Sequence, residues 1–169
     1  TRAEAMDRLS SAVWGWGRWS PKRRLRFARG VVLRMTNEVL PAALRAAGHR
    51  GLAANLAEAR SIESAAQTTA RVFAATLGAL LPLSSDARDL TARGAALHAA
   101  TCGAGFAAQS AIEMLRDDRY AAPHPDIALA RAAAVAHCAA WALRSAVSPE
   151  AADDLLQRAV TIWIEEAQL

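Results

Sequence analysis

Apolar and polar positions along this chain repeat with the period of a helix and almost never with that of a strand. No stretch sustains period-two alternation, no Asn-Gly turn occurs and β-branched runs are few. Three–four spacing recurs instead. Leu52, Leu56, Ala59, Ile62, Ala66, Ala70, Phe73, Leu77 and Leu80 fall on one face and predict a helix from about Leu52 to Leu81, ended by Pro82. Leu90, Leu97, Thr101, Ala108, Ile112 and Leu115 mark the buried face of the next helix. It is capped by Ser84, Ser85 or Asp86 and runs to about Arg116. Ala152, Leu156, Ala159, Val160 and Trp163 mark the buried face of the last helix.

Punctuation residues place the remaining boundaries. A short amphipathic segment from about Arg2 to Val13 is broken by Gly15 and Gly17, which sit between Trp14, Trp16 and Trp19. Ser20 is an N-cap with Pro21 at the first helical position, where a missing N–H costs nothing. That helix runs to about Ala47, stops at Gly48 and is kinked or split by Pro41. Asp117 to Pro125 reads as a loop, after which Asp126 caps a helix to about Ala146. Ser148, Pro149 and Glu150 open the last helix, where Glu150, Asp153 and Asp154 suit the helix dipole.

The fold predicted is all-α: one domain over residues 1–169, an antiparallel bundle of about five long helices plus a short N-terminal helix. Composition strengthens this. Alanine fills 44 of 169 positions, and it is both the best helix former and the smallest side chain that still buries apolar surface. Helices built this way approach closely. Gly94, Gly103 and Gly105 lie inside one predicted helix, each at about 1 kcal/mol relative to Ala, and close packing accounts for them better than room for a ligand. The longest uncharged run, Gly94–Ile112, is 19 residues but mostly Ala and Gly, so a buried helix is expected rather than a transmembrane span. Cys102 and Cys138 make no disulfide framework, and a reducing cytoplasm is expected. Arginine supplies 19 of the 20 basic residues, which with the alanine excess suggests a GC-rich bacterial source.

Chemistry-bearing constellations are sparse. His98 and Cys102 share a helix face, and His137 and Cys138 lie on a later helix, but this is an incomplete zinc set. No Glu precedes a His by three residues, so the di-iron bundle pattern is missing. There is no phosphate loop, nucleophile elbow or zincin motif. The expectation is a protein with no catalytic residues, no metal and no cofactor.

Charge changes the picture. Residues 1–60 carry 12 basic and 4 acidic residues, whereas residues 117–169 carry 4 basic and 8 acidic. Between Arg18 and Arg34 there are seven basic residues and no acidic one. Arg23, Arg34 and Arg45 are eleven apart, so they recur on one helical face. Three readings compete: a docking surface for an acidic protein with Trp and Arg as anchors, phosphate binding with Trp stacking on bases, and an internal role pairing the arginines with the acidic C-terminal helix. A small-molecule or metal-binding bundle is a more distant alternative, and homo-oligomerisation is open. The first reading is preferred, with Trp14, Trp16, Trp19, Lys22, Arg23, Arg26, Arg29 and Arg34 as the partner-binding set.

Three segments carry a resemblance. Lys22-Arg-Arg-Leu-Arg-Phe-Ala28, then Val39-Leu40-Pro41, then Ala130-Arg-Ala-Ala-Ala-Val-Ala-His-Cys-Ala-Ala-Trp141 resemble the alanine-rich, all-helical bacterial immunity proteins, over about Lys22 to Ala146. That resemblance implies a non-enzymatic protein that binds and blocks a toxin. It supplies no site residues.

Overall fold

A computed structural model describes residues 2–85, 92–116 and 122–169. These residues form an all-α bundle, and no strand occurs among them. The helices are α1 (Arg2–Ala12), α2 (Pro21–Arg34), α3 (Leu40–Ala46), α4 (Arg50–Ala57), α5 (Ile62–Ser85), α6 (Ala92–Glu113), α7 (Pro125–Ala146) and α8 (Pro149–Gln168). A 3-10 turn, Trp16–Arg18, precedes α2, and a π-helical turn, Met35–Val39, joins α2 to α3 in one continuous rod. One cluster of buried side chains runs through α2–α8, from Trp19 and Phe27 to Ile162 and Ala167.

The capping residues perform as their chemistry requires. The Ser20 Oγ accepts from the Arg23 N–H at 3.2 Å and the Ser148 Oγ accepts from the Ala151 N–H at 3.1 Å, each with Pro as the next residue. Gly48 ends the α2–α3 rod at φ +89°, a conformation that suits glycine.

Pro41 does split the α-helix, through a π turn that lies just before it and not at its own position. A proline has no N–H for the carbonyl four residues back, and its ring crowds that carbonyl. The strain is taken up one turn earlier, where the Leu40 N–H bonds to the Met35 carbonyl across a widened π turn. The extra residue in that turn rotates α3 relative to α2 by about 100°. Arg45 therefore leaves the stripe that its eleven-residue spacing assigned it with Arg23 and Arg34.

The helix expected over 52–81 is two helices. Ser61 and Ser64 account for the break: the Ser64 N–H donates to the Ser61 Oγ, and the Ser61 N–H donates to the Ser64 Oγ, both at 3.1 Å. This reciprocal cap starts α5 at Ile62. Asn37, on the π turn, donates to the Ala59 carbonyl at 2.9 Å and holds the break against the rod. The buried face of α5 is turned by about one residue from the expected one. Ala65, Thr69, Val72 and Thr76 are buried while Ala70 is exposed. Threonine can serve this inner face because Thr69 and Thr76 donate to the carbonyls of Ala65 and Val72, at 2.9 and 2.8 Å.

Four other boundaries move. α5 continues past Pro82 to Ser85, since a proline near the end of a 24-residue helix removes a single bond. Ser84 and Ser85 thus belong to α5, not to a cap of α6, while Asp86, Leu90 and the expected loop residues 117–121 lie outside the described residues. α6 ends at Glu113 in a turn through Leu115. His124, not Asp126, occupies the N-cap position of α7 and Pro125 begins it.

Gly103 and Gly105 of α6 serve close approach. A methyl group on Gly103 would lie 3.3 Å from the Cys138 Sγ on α7, and one on Gly105 would lie 3.2 Å from Val72 Cγ1 and 3.7 Å from the Phe73 Cα on α5. By length and composition α7 could cross a membrane, and half of that apolar stretch is buried against its neighbours.

Candidate partner-binding face

The Trp–Arg block from Trp14 to Arg34 is divided by the faces of α2. One face, Arg23, Phe27, Gly30 and Arg34, turns to α8. The adjacent stripe, Lys22, Arg26 and Arg29, about 100° round the helix, borders a groove that Arg23 also lines.

Against α8 the contacts are internal. Trp16, Trp19, Phe27 and Trp163 form an aromatic cluster with neighbouring centroids 5.3–5.7 Å apart, mostly edge to face. Trp19 is buried, and the Trp16 indole N–H donates to Asp126 Oδ1 at 3.1 Å, tying the 3-10 turn to the start of α7. Arg23 lies over the Trp19 ring at 4.0 Å and donates from Nη2 to the Ala167 carbonyl at 3.3 Å. A guanidinium there satisfies a carbonyl in the last turn of α8 and favours its negative dipole end. Arg24 donates from Nε to the Trp19 carbonyl at 3.1 Å.

Arg34 is the hub of an ion network. Its guanidinium meets Glu38 at 2.6 Å, Glu165 at 2.7 Å and Glu166 at 3.2 Å. Arg158 joins from α8, pairing with Glu38 and, at 3.8 Å, with Glu165. The Glu38 hydrogen bond does most to hold the Arg34 pKa above its ordinary value; burial opposes it, and Glu165 and Glu166 add to it. For Glu38 burial pushes upward, but the hydrogen bonds from Arg34 and Arg158 outweigh it and leave the carboxyl below its ordinary value. Gly30 makes the arrangement possible. A methyl group there would overlap the Glu166 carboxylate, with its Cδ 2.6 Å away, so any larger residue would displace Glu166 from this approach to Arg34. The signal in the sequence was a glycine in mid-helix among arginines.

Ser20, Lys22, Arg23, Leu25, Arg26 and Arg29 line a groove of about 520 Å³. Lys22 and Arg26 are exposed, and no carboxylate among the described residues reaches either. Leu25 is half-buried and provides an apolar floor. Trp14 is 80% exposed and Arg18 is exposed as well. Of the eight residues expected to bind a partner, Trp16, Trp19, Arg23 and Arg34 are thus engaged within the chain. Trp14, Lys22 and Arg26 face outward, and Arg29 borders the groove.

The histidines and cysteines do not converge. Among the described residues no three His, Cys, Asp or Glu side chains come together as a metal site. Cys102 is buried and Cys138 half-buried, and burial raises the Cys138 thiol pKa. His49 lies close enough to His98 to sense its charge; burial first and His98 second depress the His49 pKa. No family model, no curated protein and no solved structure matches the chain.

Proposed function

We propose that this chain is a non-enzymatic interaction module whose outward basic face, Lys22 and Arg26 with Arg29, Arg18 and Trp14, receives an acidic partner protein. The observation that carries the reading is the division of α2. Arg34 is neutralised by Glu38, Glu165 and Glu166, and Arg23 is held by the Ala167 carbonyl and the Trp19 ring, whereas Lys22 and Arg26 line a groove without a carboxylate partner among the described residues. Uncompensated charge in the first turn of a helix also opposes the helix dipole, so an incoming anion is favoured twice. A nucleic-acid reading needs aromatic faces for bases, and two of the three tryptophans in the block are packed against Phe27. Blocking of a toxin, as the immunity-protein resemblance implies, is one form such a module takes.

The test is capture from nuclease-treated lysate of the native host. Wild-type protein, Lys22→Glu/Arg26→Glu and an equally exposed control, Arg45→Glu, serve as baits. A partner retained by wild type and by the control but lost from the double reversal supports the assignment. Capture that survives the reversal, or that disappears with nuclease alone, overturns it.

A further inference from the structure

Helix α7 is apolar on the side it turns outward as well as on the side it buries. Ala128, Leu129, Ala132, Val135 and Ala136 are buried against the bundle. On the outer side Ile127, Ala130, Ala134, His137, Trp141 and Arg144 follow one another at alternating intervals of three and four, and all but half-buried Ala134 are exposed. Ile127 and Trp141 are among the large apolar side chains left in solvent. Arg131 is the single charge between Ile127 and Leu143. A helix that is apolar all round is ordinarily covered all round. For α7, half of the apolar stretch is not buried among the described residues.

The spacing says what kind of surface fits. A three–four repeat sustained from 127 to 144 has the 3.5-residue period of a coiled-coil seam, on which a second helix lies at about +20°. The seam is also complementary to itself. Turned end for end about Ala134, it sets Ile127 of one copy opposite Trp141 of the other, and Trp141 opposite Ile127. Ala130 and Ala134 near the centre let the two backbones approach. The ends match in charge, since Asp126 lies in the first turn and Arg144 in the last. Antiparallel copies bring each Arg144 to the other's Asp126 and set the two helix dipoles in opposition. Arg144 uses one nitrogen on Asp153 at 3.6 Å, Asp126 uses one oxygen on Trp16, and each keeps others. Trp141 can enter a dry contact without stranding a donor, because its indole N–H already donates to His137 Nε2 at 3.2 Å.

The geometry points to a second copy of this chain as the occupant: α7 pairs with α7 of another molecule, antiparallel, about a two-fold axis at Ala134. The seam is about 26 Å long and one helix wide, about 10–12 Å, which is small beside an obligate dimer interface. Association is therefore expected at about 10 μM to 1 mM. It uses a different face from the basic groove of α2 and is tested apart from it.

Sedimentation equilibrium from about 1 μM to about 1 mM reads the mass. Wild type is expected to rise from one chain to two. Ile127→Glu/Trp141→Glu should stay monomeric at every concentration with its helical circular dichroism intact, since both positions are exposed. Oxidative cross-linking reads the register in chains that keep Ile127 and Trp141, so it stands even where the double substitution disturbs the fold. In a Cys138→Ala background, Ala134→Cys is expected to join two chains at least about tenfold faster than Ala54→Cys, an exposed alanine on α4. Flotation with vesicles of equal parts phosphatidylcholine and phosphatidylglycerol tests the other cover for an apolar helix face. A monomer throughout, a dimer that survives the double substitution, or cross-linking no faster at Ala134 than at Ala54 overturns the proposal. Vesicle binding by monomeric wild type that the double substitution abolishes assigns the seam to lipid and likewise overturns it.

Discussion

Gly30 offers a prediction whose sign depends on a residue 136 positions away. In an ordinary helix interior, Gly→Ala stabilises by about 1 kcal/mol. At Gly30 the added methyl overlaps the Glu166 carboxylate and expels it from Arg34. A charge-assisted hydrogen bond is worth about 1.5–3 kcal/mol when buried. The Arg34 and Glu166 side chains are 21% and 12% exposed, and Arg34 keeps Glu38 and Glu165, so the loss is discounted to about 1–2 kcal/mol. Gly30→Ala alone is then expected to be neutral or to destabilise by up to about 1 kcal/mol. In a Glu166→Ala background nothing occupies the notch, and the same substitution should stabilise by about 1 kcal/mol. The coupling across the cycle is about 1–2 kcal/mol. With a urea m-value of about 2 kcal/mol/M for a chain of this size, the difference between backgrounds is about 0.5–1 M in midpoint. Urea titrations followed by circular dichroism at the helical band read it directly. Equal stabilisation by Gly30→Ala in both backgrounds would refute the placement of Glu166 against α2.

Two further outcomes follow from contacts elsewhere. His49 is held below its unfolded value by burial and by His98, so the folded state favours the neutral ring. Stability is then fully present above pH 6.5 and declines as pH falls through the lower folded value. His49→Asn should flatten urea midpoints between pH 6.5 and pH 4.5, before Glu38, whose own carboxyl is depressed, begins to contribute with the same sign; an unchanged slope contradicts the burial. On α6, Gly105→Ala brings a methyl to 3.2 Å from Cγ1 of Val72, a stiff β-branched side chain, with Thr76 and the Phe73 backbone in ordinary contact, and should be neutral or destabilise by up to about 1 kcal/mol, net of its helix-propensity gain. Gly103→Ala meets only the Cys138 side chain and should be near neutral, turning stabilising with Cys138→Ala. Thermal denaturation of both variants ranks them, and the reverse order counts against the helix approach described.

Much of the fold was legible because it rests on local chemistry. Ser20-Pro21, Ser148-Pro149 and Gly48 specify boundaries through their own hydrogen bonding and φ, with little help from distant residues. What escaped depends on context. Ser61 and Ser64 form a reciprocal cap, but their signature has Ser where Glu or Gln is usual, and an apolar stripe ran straight across it. The face of α5 turned because threonine reads as polar in a pattern, yet buries readily once its hydroxyl bonds the preceding turn. The π turn escaped because Pro41 announces strain without saying which turn absorbs it. The candidate site was legible as a charge excess and not as a geometry. Which arginines are taken by Glu165 and Glu166 depends on how α8 lies against α2, and that no local pattern reveals.

The interior, too, bears on where function can reside. Helices packed through alanine approach too closely for polar side chains of any length to lie between them. Among the described residues the wholly buried polar side chains are Thr36, Thr69, Thr76 and Thr101, and the last three donate to their own helix, with Thr101 bonding the Leu97 carbonyl at 2.8 Å. Gly103 and Gly105 open no chamber, because Cys138, Val72 and Thr76 stand where their side chains would be. A described core of this kind can transmit packing but offers no converging polar groups for a substrate. On the proposed reading recognition lies at the surface, where α8 draws on one side of α2 for the bundle's own cohesion. The cations left facing outward are those that neither the aromatic cluster nor the Arg34 network needs. Reversing Lys22 and Arg26 should therefore leave the helical signal and the urea midpoint within about 0.5 kcal/mol of wild type while removing the partner. A fall in stability comparable to that of breaking the Arg34 network would mean that the groove face, too, belongs to the fold.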